Sequence, residues 1–262
     1  MAYFKIDKKT NIYYDVTGSG ETTIIFINGL AMTSKGWFHQ TDFFKSSFKV
    51  VTYDQRCQGQ SSKSTEEFKL SIHTEDLLKL MDFLKIEKAV IAGISYGSIV
   101  AKEFAIRSPE KCEKLILISP IYRVDFLLKH SYKIWLNLLE KDMLEEFYMI
   151  LFFMSFNRPY ASSIEKFYKG MYEGFKKYYD SKSIILLLNS IDIENDFTNY
   201  PLIKVPSLII GAKEDKLHNP DDAINISKEI PSSRYELIQG GHAINVENPV
   251  EVNQVIKDFL KK

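Results

Sequence analysis

The sequence predicts an α/β fold, with a mostly parallel eight-stranded sheet, helices on both faces and a helical insertion. Three observations predict it. Short β-type runs alternate with helical segments, several of these runs are apolar without alternation, and the pattern stops in a long aromatic stretch between Pro120 and Pro201. The chain has 262 residues, 45% of them hydrophobic and 26% charged, so it is long enough to bury a sizeable core.

Eight runs have the length and composition of strands. They are Tyr3–Asp7, Ile12–Val16, Thr23–Asn28, Lys49–Asp54, Ala89–Ile94, Lys114–Ser119, Ser207–Gly211 and Tyr235–Ile238. Four of them lack alternation, as central parallel strands do: Thr23–Asn28, Ala89–Ile94, Lys114–Ser119 and Ser207–Gly211. The first two runs alternate more, which predicts an antiparallel edge.

Helical spacing is clearest at Ile72–Leu84 and at Pro249–Leu260, where Asn248 is the candidate N-cap. The stretch between Pro120 and Pro201 has no strand alternation and predicts a helical insertion. It carries more aromatic side chains than a peripheral helix needs, so we expect part of it to face a pocket. The alternative is that these aromatic side chains only pack the helices against one another.

The charge balance narrows the classes of partner. Lys and Arg together number 34, as do Asp and Glu, so no net field attracts nucleic acid or an anionic membrane, and we expect a small-molecule partner. The longest apolar stretch, Phe147 to Phe156, is too short to span a bilayer. We expect Cys57 and Cys112 to be reduced thiols. The segment from Met1 to Lys9 lacks the apolar core of a secretory signal, so we expect a cytoplasmic location.

The sharpest chemical signal is Gly93-Ile94-Ser95-Tyr96-Gly97, between an apolar strand and a helix. A sharp turn there would expose the Ser95 hydroxyl in a strained backbone conformation, at the positive end of the following helix. Gly93 and Gly97 would leave room where a side chain would collide with a neighbouring element. The alternative is a strand-to-helix turn that uses Gly and Ser for geometry only.

A serine nucleophile needs a base, and His242 is the best candidate among five histidines. It follows the last predicted strand, in Gln239-Gly240-Gly241-His242-Ala243, where the sheet would bring it to the same edge as Ser95. The other four lack that position and are expected to be surface or packing residues. They are His39, His73, His130 and His218.

The base needs an acid that holds its tautomer, and Asp215 follows the strand Ser207–Gly211 in the chain order Ser, Asp, His. Its neighbour Glu214 is the rival, and Asp192 and Asp196 are more distant alternatives.

The oxyanion formed on attack needs two positioned donors. We expect the backbone N–H groups of Tyr96, directly after the nucleophile, and of Leu30, in the loop after Thr23–Asn28, where Gly29 lets the backbone turn inward.

Taken together, these motifs resemble the α/β-hydrolase fold superfamily over nearly the whole chain. Gly93–Gly97 resembles its nucleophile elbow, and Asn28-Gly29 its His-Gly oxyanion loop. Tyr53–Ser61 resembles the family's D-x-R-G-x-G-x-S segment. The stretch from Val205-Pro206 to Asp215 resembles the segment that carries the family's catalytic acid. Gly241-His242, together with Glu247-Asn248-Pro249, resembles the segment that carries its catalytic histidine. Four positions depart from the family's usual residues: Asn28, Cys57, Gln58 and Ala212. The resemblance implies a core of residues 1–120 and 201–262, with a cap or lid at 121–200.

The expected function is a serine hydrolase that cleaves an ester, lactone or thioester of a small, partly apolar substrate through an acyl-enzyme, with no metal or organic cofactor. Because this fold hosts many reactions, two alternatives stay open. One is a carbon–carbon hydrolase or a cofactor-free cyclase or lyase on the same triad, and the other is a ligand-binding receptor with weak turnover. The oligomeric state, including a homodimer, is also open.

Overall fold

A computed structural model describes residues 2–193 and 196–261 of the protein. Its strands are β1 (Ala2–Lys5), β2 (Asn11–Thr17), β3 (Thr23–Ile27), β4 (Lys49–Tyr53), β5 (Ala89–Ile94), β6 (Cys112–Ile118), β7 (Ser207–Ala212) and β8 (Ser233–Ile238). They form one eight-stranded sheet in the order β1-β2-β4-β3-β5-β6-β7-β8. The pairings β1–β2 and β2–β4 are antiparallel and the others are parallel.

This sheet confirms the predicted fold class, including the antiparallel edge, with small shifts of the strand ends. Strand β1 ends at Lys5 because the Asp7 carboxylate accepts the N–H groups of Lys9 and Thr10, both at 2.8 Å, and turns the chain. Strand β6 begins at Cys112, two residues before the predicted start, Lys114.

The helices are α1 (Phe38–Phe44), α2 (Ser71–Phe83), α3 (Tyr96–Arg107), α4 (Phe126–Glu140), α5 (Leu144–Ser155), α6 (Arg158–Ile164), α7 (Tyr168–Lys176), α8 (Ser181–Asn189), α9 (Asp222–Glu229), α10 (Ile244–Glu247) and α11 (Pro249–Leu260). Short 3-10 turns cover Ser34–Trp37, Glu165–Phe167 and Tyr200–Leu202. None of the helices in the described ranges combines the length and the apolar character that crossing a membrane requires.

Both faces of the sheet are covered, which is why the central strands are apolar throughout. Along β3, Ile25 and Ile27 pack into a cluster with α2 and α3, whereas Ile24 and Phe26 pack into a second cluster with α1 and α11. Since successive strand residues point to opposite faces, an uninterrupted apolar run is what a two-sided core requires.

The stretch between β6 and β7 holds the five helices α4 to α8. Three of these helices are capped at the N-terminus by a side chain that accepts a backbone N–H group. The capping residues are Asp125 for α4, Asn157 for α6 and Asp180 for α8. The apolar run predicted at Phe147–Phe156 lies mostly in α5, where Phe147 and Phe152 are buried. The division of the chain into a core and a separate cap domain stays a prediction.

Helix α11 begins at Pro249, as predicted, but the Asn248 side chain does not cap it. Its amide nitrogen donates instead to Glu251 Oε2, at 2.7 Å, and to the backbone oxygen of Gln239, at 3.2 Å. Asn248 is therefore the N-cap residue, as predicted, but without a side-chain capping hydrogen bond, and Pro249 starts the helix by its fixed φ.

We expect Phe26→Ala to lower the free energy of unfolding by about 3–5 kcal/mol. Phe26 is fully buried and stacks on Trp37 with ring centroids 4.7 Å apart, so the substitution leaves a cavity beneath β3. Urea unfolding measures the change. The control Phe38→Ala, at a side chain 66% exposed, should cost less than about 1 kcal/mol, and equal losses in the two variants would contradict this description of the core.

Candidate active site

Ser95 lies in a tight turn between β5, which ends at Ile94, and α3, which begins at Tyr96. Its backbone has φ 53° and ψ −121°, a conformation that L-residues rarely adopt. The turn is held on both sides: Ser95 N–H donates to Ile118 O of β6 at 2.9 Å, and Ser95 O accepts from Ser98 N–H at 2.8 Å and Ser98 Oγ–H at 2.6 Å. The strained geometry expected from the sequence is present.

The flanking glycines are required by space. A Cβ atom on Gly93 would lie 2.1 Å from Gly97 O, and one on Gly97 would lie 2.4 Å from Ile27 O in β3. Both distances are far below van der Waals contact, and the opposing atoms belong to the backbone. Larger residues at either position would therefore force the turn away from the sheet.

Asp215 and His242 are joined by a hydrogen bond. Asp215 Oδ2 lies 2.8 Å from His242 Nδ1, and both side chains are at least 90% buried. Asp215 Oδ1 accepts the backbone N–H groups of Leu217, at 2.8 Å, and His218, at 2.9 Å, so the carboxylate is fixed from both sides. Because the carboxylate can only accept, His242 Nδ1 donates, and in the neutral imidazole Nε2 then carries the lone pair.

The pKa of Asp215 reflects two opposing effects. Burial works to raise it, but the positive charge that His242 carries when protonated, together with its hydrogen bond, outweighs burial and holds the pKa of Asp215 below its ordinary value. Asp215 is therefore ionised at neutral pH.

The other acidic candidates lie elsewhere. Glu214 Oε2 accepts from Asn157 Nδ2 at 2.6 Å, and Glu214 is exposed. Asp196 Oδ2 accepts the backbone N–H of Asp192 at 2.7 Å. Neither Asp192 nor Asp196 lines the cavity beside Ser95. The structure pairs His242 with Asp215, the acid that the sequence favoured.

The loop that carries His242 is held by Ser119, which was not singled out in the sequence, and by Glu247, which was named only as part of the resemblance to the family's catalytic-histidine segment. Ser119, directly after β6, donates its hydroxyl to His242 O at 2.8 Å. The Glu247 carboxylate accepts Gly241 N–H and Asn157 N–H, each at 2.8 Å, and thereby joins the histidine loop to the start of α6. These contacts fix the backbone on both sides of the imidazole.

The two predicted oxyanion donors border the same cavity as Ser95. A Cβ atom on Gly29 would lie 3.5 Å from Ser95 Cβ, so the loop that carries Leu30 runs directly beside the serine. Within residues 2–193 and 196–261, the backbone N–H groups of Leu30 and Tyr96 donate to no protein atom. Both groups are therefore free to bind a ligand oxygen.

Two departures from the usual family residues have structural explanations. Asn28 is fully buried. Its side chain donates to Asp54 Oδ1 at 3.1 Å and accepts from Trp37 Nε1 at 3.0 Å, and these hydrogen bonds hold the loop after β3 in place. Cys57 has φ 66°, in the left-handed region that favours the glycine of the family motif, and its thiol accepts Ser64 N–H at 3.2 Å.

The serine and the histidine share a cavity of about 300 Å³ that lies between the sheet edge and the helices α4, α5 and α7. Most of its walls are apolar or aromatic. The aromatic residues among them are Tyr96, Tyr132, Trp135, Tyr148, Phe152 and Phe156. The expectation that part of the aromatic stretch faces a pocket is thus confirmed for Trp135 and its neighbours, although other aromatic side chains, such as Phe147, pack only against helices.

His218 is the residue that the sequence reasoning missed. It was expected on the surface or in packing, yet it lines the cavity and packs edge-to-face on His242, with ring centroids 4.5 Å apart. Its Nδ1 lies 2.9 Å from Ser119 O, which can only accept, so Nδ1 carries the proton. Burial, and secondarily the charge on His242, lower the pKa of His218 to about 4. Its position three residues after Asp215, in the same loop, was the available signal.

Asp215, His218 and His242 bring atoms that could hold a metal ion within 4.8 Å of one another. Their hydrogen bonds account for this closeness, because His242 Nδ1 donates to Asp215 and the His218 backbone N–H donates to the same carboxylate. A metal ion bound to His242 Nδ1 would displace the proton that joins the pair. The absence of a metal or organic cofactor stays a prediction.

Comparison with known proteins gives the same architecture. A sequence model of the alpha/beta hydrolase fold matches residues 22–249. A relative from Rhizobium rhizogenes named "Putative carbamate hydrolase RutD" is 25% identical over 248 residues, which cover 91% of this chain and 92% of the relative.

Two further similar proteins are named as lactonases. The 3-oxoadipate enol-lactonase 2 of Acinetobacter baylyi is 23% identical over 243 residues, covering 91% of this chain and 88% of that protein. The crystal structure of the enol-lactonase from Burkholderia xenovorans LB400 superposes with a TM-score of 0.90 at 22% identity and covers both chains completely. At this identity, the structural likeness establishes the fold.

We expect His218 to make the protein less stable as the pH falls from about 6.5 to about 4. The folded pKa of His218, about 4, lies below the unfolded histidine value of about 6.5, so the unfolded chain binds more protons in this window. Relative to His218→Gln, the wild type should lose about 2 kcal/mol of unfolding free energy between pH 7 and pH 5. Urea unfolding at both pH values measures it.

His130→Gln removes an exposed histidine of α4 and controls for the loss of a histidine as such. If the unfolding free energies of wild type and His218→Gln differed by the same amount at pH 7 and at pH 5, that result would contradict the buried, neutral state assigned to His218.

Proposed function

The chain belongs to the alpha/beta hydrolase fold family, and from this premise we propose that it is a serine hydrolase that cleaves an ester, lactone or thioester of a small, partly apolar substrate through an acyl-enzyme. The observation that carries the proposal is the 2.8 Å hydrogen bond between Asp215 and His242, beside the cavity that Ser95 also lines. The family resemblance and the hydrolase class predicted from the motifs are confirmed by the family match.

In the first step, Ser95 Oγ attacks the substrate carbonyl carbon while His242 Nε2 accepts the hydroxyl proton. Asp215 stays ionised, keeps the Nδ1 proton of His242 in place and stabilises the imidazolium. The negative charge that develops on the carbonyl oxygen is stabilised by the free N–H groups of Leu30 and Tyr96, and by the positive end of α3.

When the tetrahedral intermediate collapses, the bond to the leaving group breaks and that group takes the proton from His242. Water then attacks the acyl carbon with His242 as the base, and the acid product leaves as Ser95 Oγ recovers a proton. The neutral ring of His218 packs against His242 and limits its rotation, so the imidazole keeps its alignment through both steps.

We assign residues 121–200 the role of a cap over this site, and residues 1–120 and 201–262 the role of the catalytic core. The assignment is supported by Tyr132, Trp135 and Tyr148, which come from α4 and α5 and line the cavity together with Ser95. An apolar wall suits a substrate with an apolar part and limits the entry of water.

The names of the relatives agree with this chemistry, since carbamate hydrolysis and lactone opening both break a bond between a carbonyl carbon and a heteroatom. A cytoplasmic location and a small-molecule substrate remain part of the proposal. Cys57 and Cys112 are both buried free thiols, which suits a reducing compartment.

Pre-steady-state kinetics with a 4-nitrophenyl ester tests the mechanism. The wild type should release a burst of 4-nitrophenol that matches the enzyme concentration before the slower steady state, because the acyl-enzyme accumulates. Asp215→Asn should lower kcat on the order of 10³–10⁴-fold, since the amide would present its N–H to His242 and favour the wrong tautomer.

Glu214→Gln is the matched control, because it removes the neighbouring carboxylate, whose hydrogen bond goes to Asn157 rather than to His242. It should keep kcat within about threefold of the wild-type value. Similar losses in the two variants, or a kcat in Asp215→Asn near that of wild type, would contradict the proposed role of Asp215. Stoichiometric ligand binding without turnover would favour the receptor alternative.

A further inference from the structure

The loop after β3 carries Leu30, one of the two proposed oxyanion donors, and both ends of this loop are held by one carboxylate. Asp54 Oδ1 accepts from the Asn28 side chain at 3.1 Å and from the backbone N–H of Ser34 at 2.6 Å. Asp54 is fully buried, so water does not compete for these hydrogen bonds. The ends of the loop are therefore fixed from within the sheet side of the molecule.

The middle of the loop, residues 29–32, is held by the helical insertion instead. Met32 O accepts the hydroxyl proton of Tyr179, which lies between α7 and α8, at 2.7 Å. Among residues 2–193 and 196–261, this is the only hydrogen bond that joins 29–32 to another part of the chain. The other bond of these residues, from Met32 N–H to Gly29 O at 3.3 Å, closes the turn internally.

This turn has Leu30 and Ala31 at its centre, and its backbone is strained. Ala31 has φ 56°, in the left-handed region that a residue with a Cβ atom rarely adopts. Such a conformation persists where the surroundings hold it in place. Because Met32 directly follows Ala31, the hydrogen bond from Tyr179 acts one residue away from the strained position and two residues away from the Leu30 N–H group.

The Tyr179 hydroxyl is suited to this role. It accepts Gly59 N–H at 3.2 Å, so its own proton is directed to Met32 O. Burial, and secondarily the charge of Asp54, hold the pKa of Tyr179 well above its ordinary value, so the hydroxyl remains a donor. Tyr179 is 5% exposed and is not among the residues that line the cavity of Ser95. Any effect of Tyr179 on the reaction must therefore pass through the loop.

We propose that Tyr179 is a positioning residue for the oxyanion hole: its hydrogen bond to Met32 O holds the turn so that Leu30 N–H is directed at the substrate carbonyl oxygen. The inference rests on the proposed function and adds to it a determinant that lies in the insertion, outside the cavity. A donor that is preorganised for the oxyanion stabilises the transition state more than the bound substrate. Loosening the turn therefore lowers kcat and changes KM little.

Tyr179→Phe removes the hydroxyl and keeps the ring, which stacks on Phe175 with centroids 4.9 Å apart. With a 4-nitrophenyl ester we expect kcat to fall about tenfold to thirtyfold and KM to stay within about twofold. The kcat is calculated per active site, titrated by complete reaction with a fluorophosphonate, so that a loss of folded protein does not count. Tyr179→Met removes the same hydroxyl with a flexible apolar chain and should show the same separation of kcat from KM.

Tyr172→Phe is the matched control. It removes the hydroxyl of another buried tyrosine, in α7, which takes part in no hydrogen bond to the residues that the structure describes. Its kcat should stay within about twofold of the wild-type value. A fall in Tyr172→Phe as large as that in Tyr179→Phe would assign the effect to the packing of the insertion and overturn the positioning role.

Two inhibitors give a readout that general loosening of the fold would not separate. A trifluoromethyl ketone adds to the nucleophilic serine and places an oxyanion beside Leu30, whereas an alkyl aryl ether of the same length has no carbonyl group. Tyr179→Phe should weaken inhibition by the ketone about as much as it lowers kcat/KM, and should leave inhibition by the ether unchanged.

The possible failures are distinguishable. A wild type that hydrolyses the ester, with an unchanged kcat in Tyr179→Phe or an equal loss of affinity for ketone and ether, would overturn the role of Tyr179 and leave the hydrolase in place. A wild type that neither hydrolyses the ester nor binds the ketone more tightly than the ether would reject the proposed function itself, and with it the oxyanion hole that Tyr179 is proposed to position.

Discussion

The backbone of Gly93 and Gly97 comes so close to neighbouring backbone that no side chain fits at either position. This contact lets β5 run into α3 with a single residue between them, and forces Ser95 to φ 53°. The strain is balanced by hydrogen bonds to β6 and α3 and by the packed sheet beneath. Every other part of the site is arranged around the resulting position of the Ser95 side chain.

The parallel sheet brings the remaining groups to the same edge. Asp215 follows β7, His242 follows β8 and Leu30 follows β3, so residues far apart in sequence meet where these strands end. Buried contacts then determine orientation. Asp215 is ionised because His242 outweighs the effect of burial on its pKa, whereas His218 stays neutral because burial dominates there. The His218 ring beside the Asp215–His242 pair is therefore uncharged at neutral pH.

Much of this arrangement could be predicted from the sequence because it depends on local patterns. Apolar runs determine the strands, and the spacing Gly93-Ile94-Ser95-Tyr96-Gly97 determines the turn. The sequence placed His218 in the same loop as Asp215, but its burial could not be predicted, because burial depends on the contacts of that loop with Ser119 and His242. The role of Glu247 depends on the position of α6, so it required knowledge of tertiary contacts.

Intact mass after treatment with a fluorophosphonate probe tests the central claim most directly, because the probe reacts with an activated serine and leaves a covalent adduct. We predict one adduct per chain in the wild type, at Ser95, and none in Ser95→Ala. An adduct that persists in Ser95→Ala, or a wild type that hydrolyses esters without forming any adduct, would contradict Ser95 as the nucleophile.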